Sequence, residues 1–183
     1  MSSATNRLPL AQAQEIAVGV LEQLEPHCEV ISIAGSIRRE RPTIGDIEIV
    51  CVPNRNAIES LPLFAGGFPA VVQQWPGIKG SPDGRYTQRL LPCGLKLDLF
   101  MPHPDAYGLI LAIRTGSAEW CKQVLAPAWD RAGYRSEDGL LCQVVDEDFP
   151  DNWNTTVPCR TERELFDVIG LRWVAPRDRE VQP

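Results

Sequence analysis

Histidine is nearly missing from this chain: His27 and His103 are the only two in 183 residues. The six cysteines, Cys28, Cys51, Cys93, Cys121, Cys142 and Cys159, include no CxxC pair. Zinc sites and redox dithiols draw on closely spaced Cys and His, so neither is expected here. Several cysteines lie in apolar runs, such as Ile49-Val50-Cys51-Val52 and Leu140-Leu141-Cys142. They read as free, buried thiols of a reducing compartment. No segment reaches the roughly 20 apolar residues that span a bilayer. Met1 to Arg7 lacks the apolar run of a signal peptide. A soluble cytoplasmic protein with no membrane partner is the expectation. Internal repeats and low-complexity segments are also missing.

Positive charge is in short supply. The net charge is −6 and the sequence pI near 5.0. Binding to nucleic acid normally rests on Lys and Arg neutralising phosphates. The imbalance is uneven. Up to residue 104 there are nine basic and ten acidic residues, a net of −1; from 105 onward nine face fourteen, a net of −5. With 44% hydrophobic residues, the chain can bury one good core or two small lobes.

Apolar residues at Ala13, Ile16, Ala17, Val20, Leu21 and Leu24 predict a helix over Pro9 to Leu24. A short β-rich run, Glu29 to Ala34, leads to Gly35-Ser36 and the basic group Arg38, Arg39 and Arg41. Asp46 to Val52 reads as a strand. Residues 53 to 80, rich in Pro and Gly, read as irregular with at most one short helix. Arg85–Leu91 and Leu95–Met101 read as strands joined by Pro92-Cys93-Gly94. Beyond Pro102-His103-Pro104 the pattern turns helical: Ala106 to Arg114, then Ala118 to Ala132, broken at Thr115-Gly116-Ser117. Tyr134 to Val145 reads as a hairpin around Glu137-Asp138-Gly139. Thr161-Glu162-Arg163-Glu164 has capping-box form, and Gly170 supplies the stop of that helix. The tail from Pro176 to Pro183 reads as frayed.

The chemistry concentrates on two strands. In Gly45-Asp46-Ile47-Glu48-Ile49-Val50, alternation puts Asp46 and Glu48 on one face and Ile47 and Ile49 on the other. Two carboxylates so close repel and raise each other's pKa. A divalent cation removes that penalty, because carboxylates are hard oxygen ligands. Leu95-Lys96-Leu97-Asp98-Leu99-Phe100 repeats the pattern, with Lys96 and Asp98 opposite the leucines. Were the two strands neighbours, three acids would meet on one patch, the layout for two-metal phosphoryl transfer. Solvated acids on ordinary amphipathic strands are the plain alternative. Gly35-Ser36 with Arg38 and Arg39 can form a phosphate cradle from backbone N–H groups, a hydroxyl and guanidinium.

Gly35-Ser36-Ile37-Arg38-Arg39, five residues, then Gly45-Asp46-Ile47-Glu48, resembles the signature of the polymerase beta nucleotidyltransferase superfamily, and of the family X DNA polymerases in particular. Leu95 to Phe100 looks like that family's third-carboxylate strand. Thr115-Gly116-Ser117 looks like its nucleotide-facing turn. Leu165 to Leu171 followed by Pro176-Arg177-Asp178-Arg179-Glu180 looks like its C-terminal segment.

The resemblance spans about residues 8 to 181 and implies an α+β fold. A palm over residues 1–104, with a mixed sheet and flanking helices, carries the metal and triphosphate site. A small helical thumb with a β-hairpin, residues 105–183, contacts the nucleotide. The metal ligands and catalytic residues it implies are Asp46, Glu48 and Asp98, holding two Mg²⁺ ions that Mn²⁺ could replace. Asp98 helps deprotonate the primer 3′-hydroxyl. Gly35, Ser36, Arg39 and Gly45 bind the nucleotide's phosphates, Gly116 and Ser117 its sugar. Arg38 and Lys96 face nucleic acid. The implied partners are a nucleoside triphosphate and, weakly and in a salt-sensitive way, a DNA primer-template; the chain is expected to be a monomer.

Departures from the pattern are as informative. Glu48 stands where family X has Asp. Ile113 and Arg114 replace aromatic residues, and Ala118, Cys121 and Leu125 replace polar groups that touch the template and minor groove. No lyase or helix-hairpin-helix counterpart is expected ahead of the palm, so the implied form is a reduced one. A templated polymerase of gap repair is the leading expectation. Transfer without a template, or to RNA, protein or a small molecule, is the second, and a non-catalytic binding module the third.

Overall fold

The structure, a computed structural model, describes residues 7–54, 67–144 and 155–181. The chain divides into two compact units, Met1–Met101 and Pro102–Pro183.

The first unit is built on a five-stranded mixed sheet of order β2-β4-β7-β6-β5. Its strands are β2 (Cys28–Ile33), β4 (Asp46–Pro53), β5 (Gly77–Lys79), β6 (Tyr86–Leu90) and β7 (Lys96–Phe100). The central pair β4–β7 runs parallel; the other pairs are antiparallel. Helix α1 (Leu10–Leu24) buries Ala13, Ala17, Val20 and Leu24. They join Ile47 and Ile49 of β4 and Leu97 and Leu99 of β7 in one core, with Val72 and Phe68 of α3 (Gly67–Gln73). Each Val, Leu, Ile or Phe side chain so removed from water contributes about 1.5–3 kcal/mol. The alternation that buries Ile47 and Leu97 sends Asp46, Glu48, Lys96 and Asp98 to the opposite face.

Helix α1 starts one residue later than periodicity predicts. Pro9 belongs to a two-residue strand, β1 (Leu8–Pro9), paired with β3 (Thr43–Ile44), and short pairings of this kind leave no periodic trace. Of the irregular stretch 53–80, residues 55–66 lie outside those described; the rest holds α3 and the edge strand β5. Gly35–Arg38 forms a single helical turn, α2, which leaves β2 through a left-handed Gly35 (φ 61°).

The second unit packs helices on a three-stranded antiparallel sheet of order β10-β9-β8. Helix α4 (Tyr107–Thr115) is followed by α5 (Ala118–Trp120), a π turn over Cys121–Leu125 and α6 (Ala126–Arg131). The single helix expected over Ala118–Ala132 is therefore interrupted. The π turn precedes Pro127, which has no N–H for the helical ladder, and widening the helix there absorbs the lost bond.

Strands β8 (Tyr134–Glu137) and β9 (Leu140–Gln143) meet at Asp138-Gly139, both at positive φ (51° and 80°), the twist that suits a tight hairpin. A third strand, β10 (Thr155–Val157), pairs with β9 and was not expected, since three residues carry no periodic pattern. Val145, the end of the expected hairpin, lies outside the described residues. Helix α7 (Glu162–Val168) has the full capping box of Thr161 and Glu164, and Gly170 follows it at φ 63°.

For residues 176–181 the expectation of a frayed tail is wrong; residues 182–183 lie outside those described. Pro176–Asp178 form a 3₁₀ turn, and Arg179 is fully buried. Its guanidinium stacks between the rings of Trp120, Phe166 and Trp173. It is ion-paired to Glu162 and donates from Nε to the carbonyl of Val174 at 3.1 Å.

Candidate functional site

The parallel pairing of β4 and β7 is in register Asp46↔Lys96 and Glu48↔Asp98. Both strands thus present their charged residues to one face, with Glu48 and Asp98 directly across from one another. Asp98 is buried, and Asp46 and Glu48 are half-buried. Burial pushes the Asp46 carboxyl up, and the charge of Asp98 pushes it further; Arg7, Lys96 and Arg39 pull it back. Asp46 and Asp98 therefore repel each other from neighbouring strands.

Glu48 is placed differently. Its carboxylate lies over Gly35, where a Cβ would come within 2.0 Å of Oε2. Glycine is required twice at this position: for the positive φ and for the close approach. The amide of Ala34 donates to the Glu48 carbonyl at 2.8 Å, fixing the β2–α2 turn against β4. Ser36 and Arg39 occupy α2 and its C-terminal cap, and Arg38 ends the helix. Arg39 reaches Asp46 electrostatically, which ties the turn to the acid patch.

Gly45 precedes β4 with the Arg7 guanidinium beside it: a Cβ there would lie 3.3 Å from Nη1. Arg7 is held by Thr43, through Nη2 to the carbonyl at 2.8 Å and Nε to the hydroxyl at 3.3 Å. Sequence reasoning missed Arg7, since nothing local links it to Asp46. It also missed Tyr86 and Gln88, which both donate to Oδ1 of Asp98. A signal for these existed: in a hairpin centred on Cys93, Gln88 and Asp98 are equidistant from the turn and fall opposite one another.

In the second unit, Gly116 lies beneath Trp120, whose ring a Cβ would approach to 2.4 Å. Ser117 caps α5, its hydroxyl accepting from the Trp120 amide at 3.1 Å. The Ser117 amide donates to the carbonyl of Arg179 at 3.0 Å, so the buried C-terminal segment holds the Thr115-Gly116-Ser117 turn in place.

Among the described residues, no three His, Cys, Asp or Glu side chains are grouped so as to hold a metal ion. The donor chemistry nevertheless fits a hard divalent cation: all three acids offer oxygen, all rise from one sheet face, and two of them repel.

The chain thus joins a mixed five-stranded sheet with acids on its central parallel pair to a helical unit with a small sheet. The chain has a polymerase beta-like fold. The model of the DNA polymerase beta thumb matches residues 110–180. The crystal structure of Leishmania infantum polymerase beta in a ternary P/T complex superposes with a TM-score of 0.69 at 18% identity, covering 95% of this chain and 77% of that one. No curated protein matches this sequence. No described helix is long and apolar enough to cross a membrane.

Proposed function

We propose that the chain transfers a nucleotide from a (deoxy)nucleoside triphosphate to a primer 3′-hydroxyl, as a family X-like DNA polymerase acting in DNA repair. The observation that carries this reading is the parallel β4–β7 pairing, which sets Asp46, Glu48 and Asp98 on one face beside the Gly35–Arg39 turn. In the reaction the 3′-oxygen bonds to the α-phosphorus, the bond to the β-phosphate oxygen breaks, and pyrophosphate leaves. Asp98 helps take the hydroxyl proton. Asp46, Glu48 and Asp98 would hold divalent cations, Mg²⁺ or Mn²⁺, which when bound supply positive charge to the nucleophile and the triphosphate.

Ser36, Arg39 and the backbone of Gly35 and Gly45 bind phosphate oxygens, with Arg39 as the charged partner. Arg38 and Lys96 face the nucleic acid. The Gly116-Ser117 turn of the second unit takes the sugar, and the lack of a Cβ on Gly116 leaves room for the Trp120 ring.

Primer extension tests the reading directly. A labelled primer-template with Mg²⁺ or Mn²⁺ and each nucleotide in turn should give templated single additions. Asp98→Asn, which keeps shape and removes charge, should abolish them. Addition that ignores the template would move the assignment to a terminal transferase or another acceptor. Binding without turnover would reject catalysis.

A further inference from the structure

Two side chains converge on one oxygen of Asp98. The Tyr86 hydroxyl donates to Oδ1 at 2.5 Å, and Gln88 Nε2 donates to the same atom at 2.9 Å. The sheet sets this up. Strand β6 pairs antiparallel with β7, with Gln88 opposite Asp98 and Tyr86 opposite Phe100, so all four side chains share a face. Phe100 steadies the Tyr86 ring, the centroids 5.1 Å apart and the planes tilted by 30°. Gln88 and Asp98 are 9% and 8% exposed, so little water competes for these bonds.

A carboxylate oxygen has two lone-pair directions. Two donors fill both on Oδ1 and hinder rotation of the carboxylate, leaving Oδ2 as the atom able to take a cation. We propose that Tyr86 and Gln88 are positioning residues that hold Asp98 so that Oδ2 alone is offered to a divalent cation. The inference rests on the nucleotidyl-transfer reading, and it assigns a role to residues which that reading does not use. Donors behind a metal-binding carboxylate typically change metal affinity about ten- to a hundredfold when removed.

The test is calorimetric titration with Mn²⁺ alone, on wild type, Tyr86→Phe, Gln88→Met and Asp98→Asn, with thermal melts alongside. Wild type should bind and Asp98→Asn should lose at least one site. Tyr86→Phe and Gln88→Met should each weaken Mn²⁺ about tenfold or more at an unchanged melting temperature. In primer extension the same variants should need more Mn²⁺ but recover full kcat once it is supplied. Should Gln88→Met fold poorly, Tyr86→Phe keeps its ring against Phe100 and carries the test alone. Wild-type affinity in both variants, alongside loss in Asp98→Asn, would overturn the positioning role and leave the transfer reading standing. Activity that excess Mn²⁺ cannot restore would mark a structural role and also overturn it. Absence of Mn²⁺ binding in wild type, or full binding in Asp98→Asn, would remove the inference and the metal assignment together.

Discussion

At Asp46, burial and the charge of Asp98 act in the same direction, raising its pKa above the usual value of 3.8. A raised acid favours the folded state while protonated and opposes it once ionised. Its contribution is therefore fully present below pH 3.8 and is lost as pH rises through the higher folded value. In metal-free buffer at neutral pH, Asp46→Asn should melt higher than wild type, and the gap should close as pH falls below about 3.8. Melts recorded across that range check it; a variant that melts lower than wild type at pH 7 would mean that Arg7, Lys96 and Arg39 outweigh the two raising effects. The two-residue spacing of Asp46 and Glu48 was legible in the sequence, because strand alternation is a local rule. Their environment was not: Arg7 lies 39 residues away in sequence, and the approach of Glu48 to Gly35 depends on how β2 and β4 register.

At the scale of elements, what local chemistry specifies was readable and what distant pairing specifies was not. The capping box of α7, the Asp-Gly hairpin and the β6–β7 hairpin are each encoded within a dozen residues or so. Strands β1, β3 and β10 exist only through their partners. The C-terminal segment is the sharpest case, since a polar string around Arg179 reads as solvent-exposed until Trp120, Phe166 and Trp173 enclose it. Breaking a buried ion pair from one side typically costs about 3–5 kcal/mol, whereas replacing both partners with apolar groups is often neutral. Arg179→Met should therefore destabilise by about 3–5 kcal/mol, and Glu162→Leu added to it should recover most of the loss. Urea unfolding followed by tryptophan fluorescence measures both. A double variant as unstable as the single one would show that the stacking of the guanidinium, rather than its charge pairing, sustains the segment.

For the whole molecule, on the proposed function, the net charge of −6 and its concentration after residue 104 would set how DNA is held. Attraction should come mainly from cations on the first unit. Arg41, Lys79, Arg85 and Lys96 are exposed there and Arg38 is half-buried. Arg89, which by sequence belongs with them, does not. It is 6% exposed on the core face of β6, its Nε bonded to the Thr87 hydroxyl at 3.0 Å and its guanidinium passing over Gly77. Each phosphate neutralised adds about 0.9 to the slope of log affinity against log salt. If the chain holds DNA as proposed, few contacts on an acidic protein should give weak binding that is lost as salt rises. Lys79→Ala and Arg85→Ala should each reduce the slope by about one while leaving the melting temperature alone. Arg89→Ala should do the reverse, lowering the melting temperature with no change in slope. Fluorescence anisotropy of a labelled duplex at several salt concentrations, with melts of the same samples, separates the two behaviours. Binding that survives several hundred millimolar salt would mean that base contacts, not phosphate contacts, carry the affinity. A slope that falls in Arg89→Ala would bring that guanidinium to the surface in the DNA-bound state.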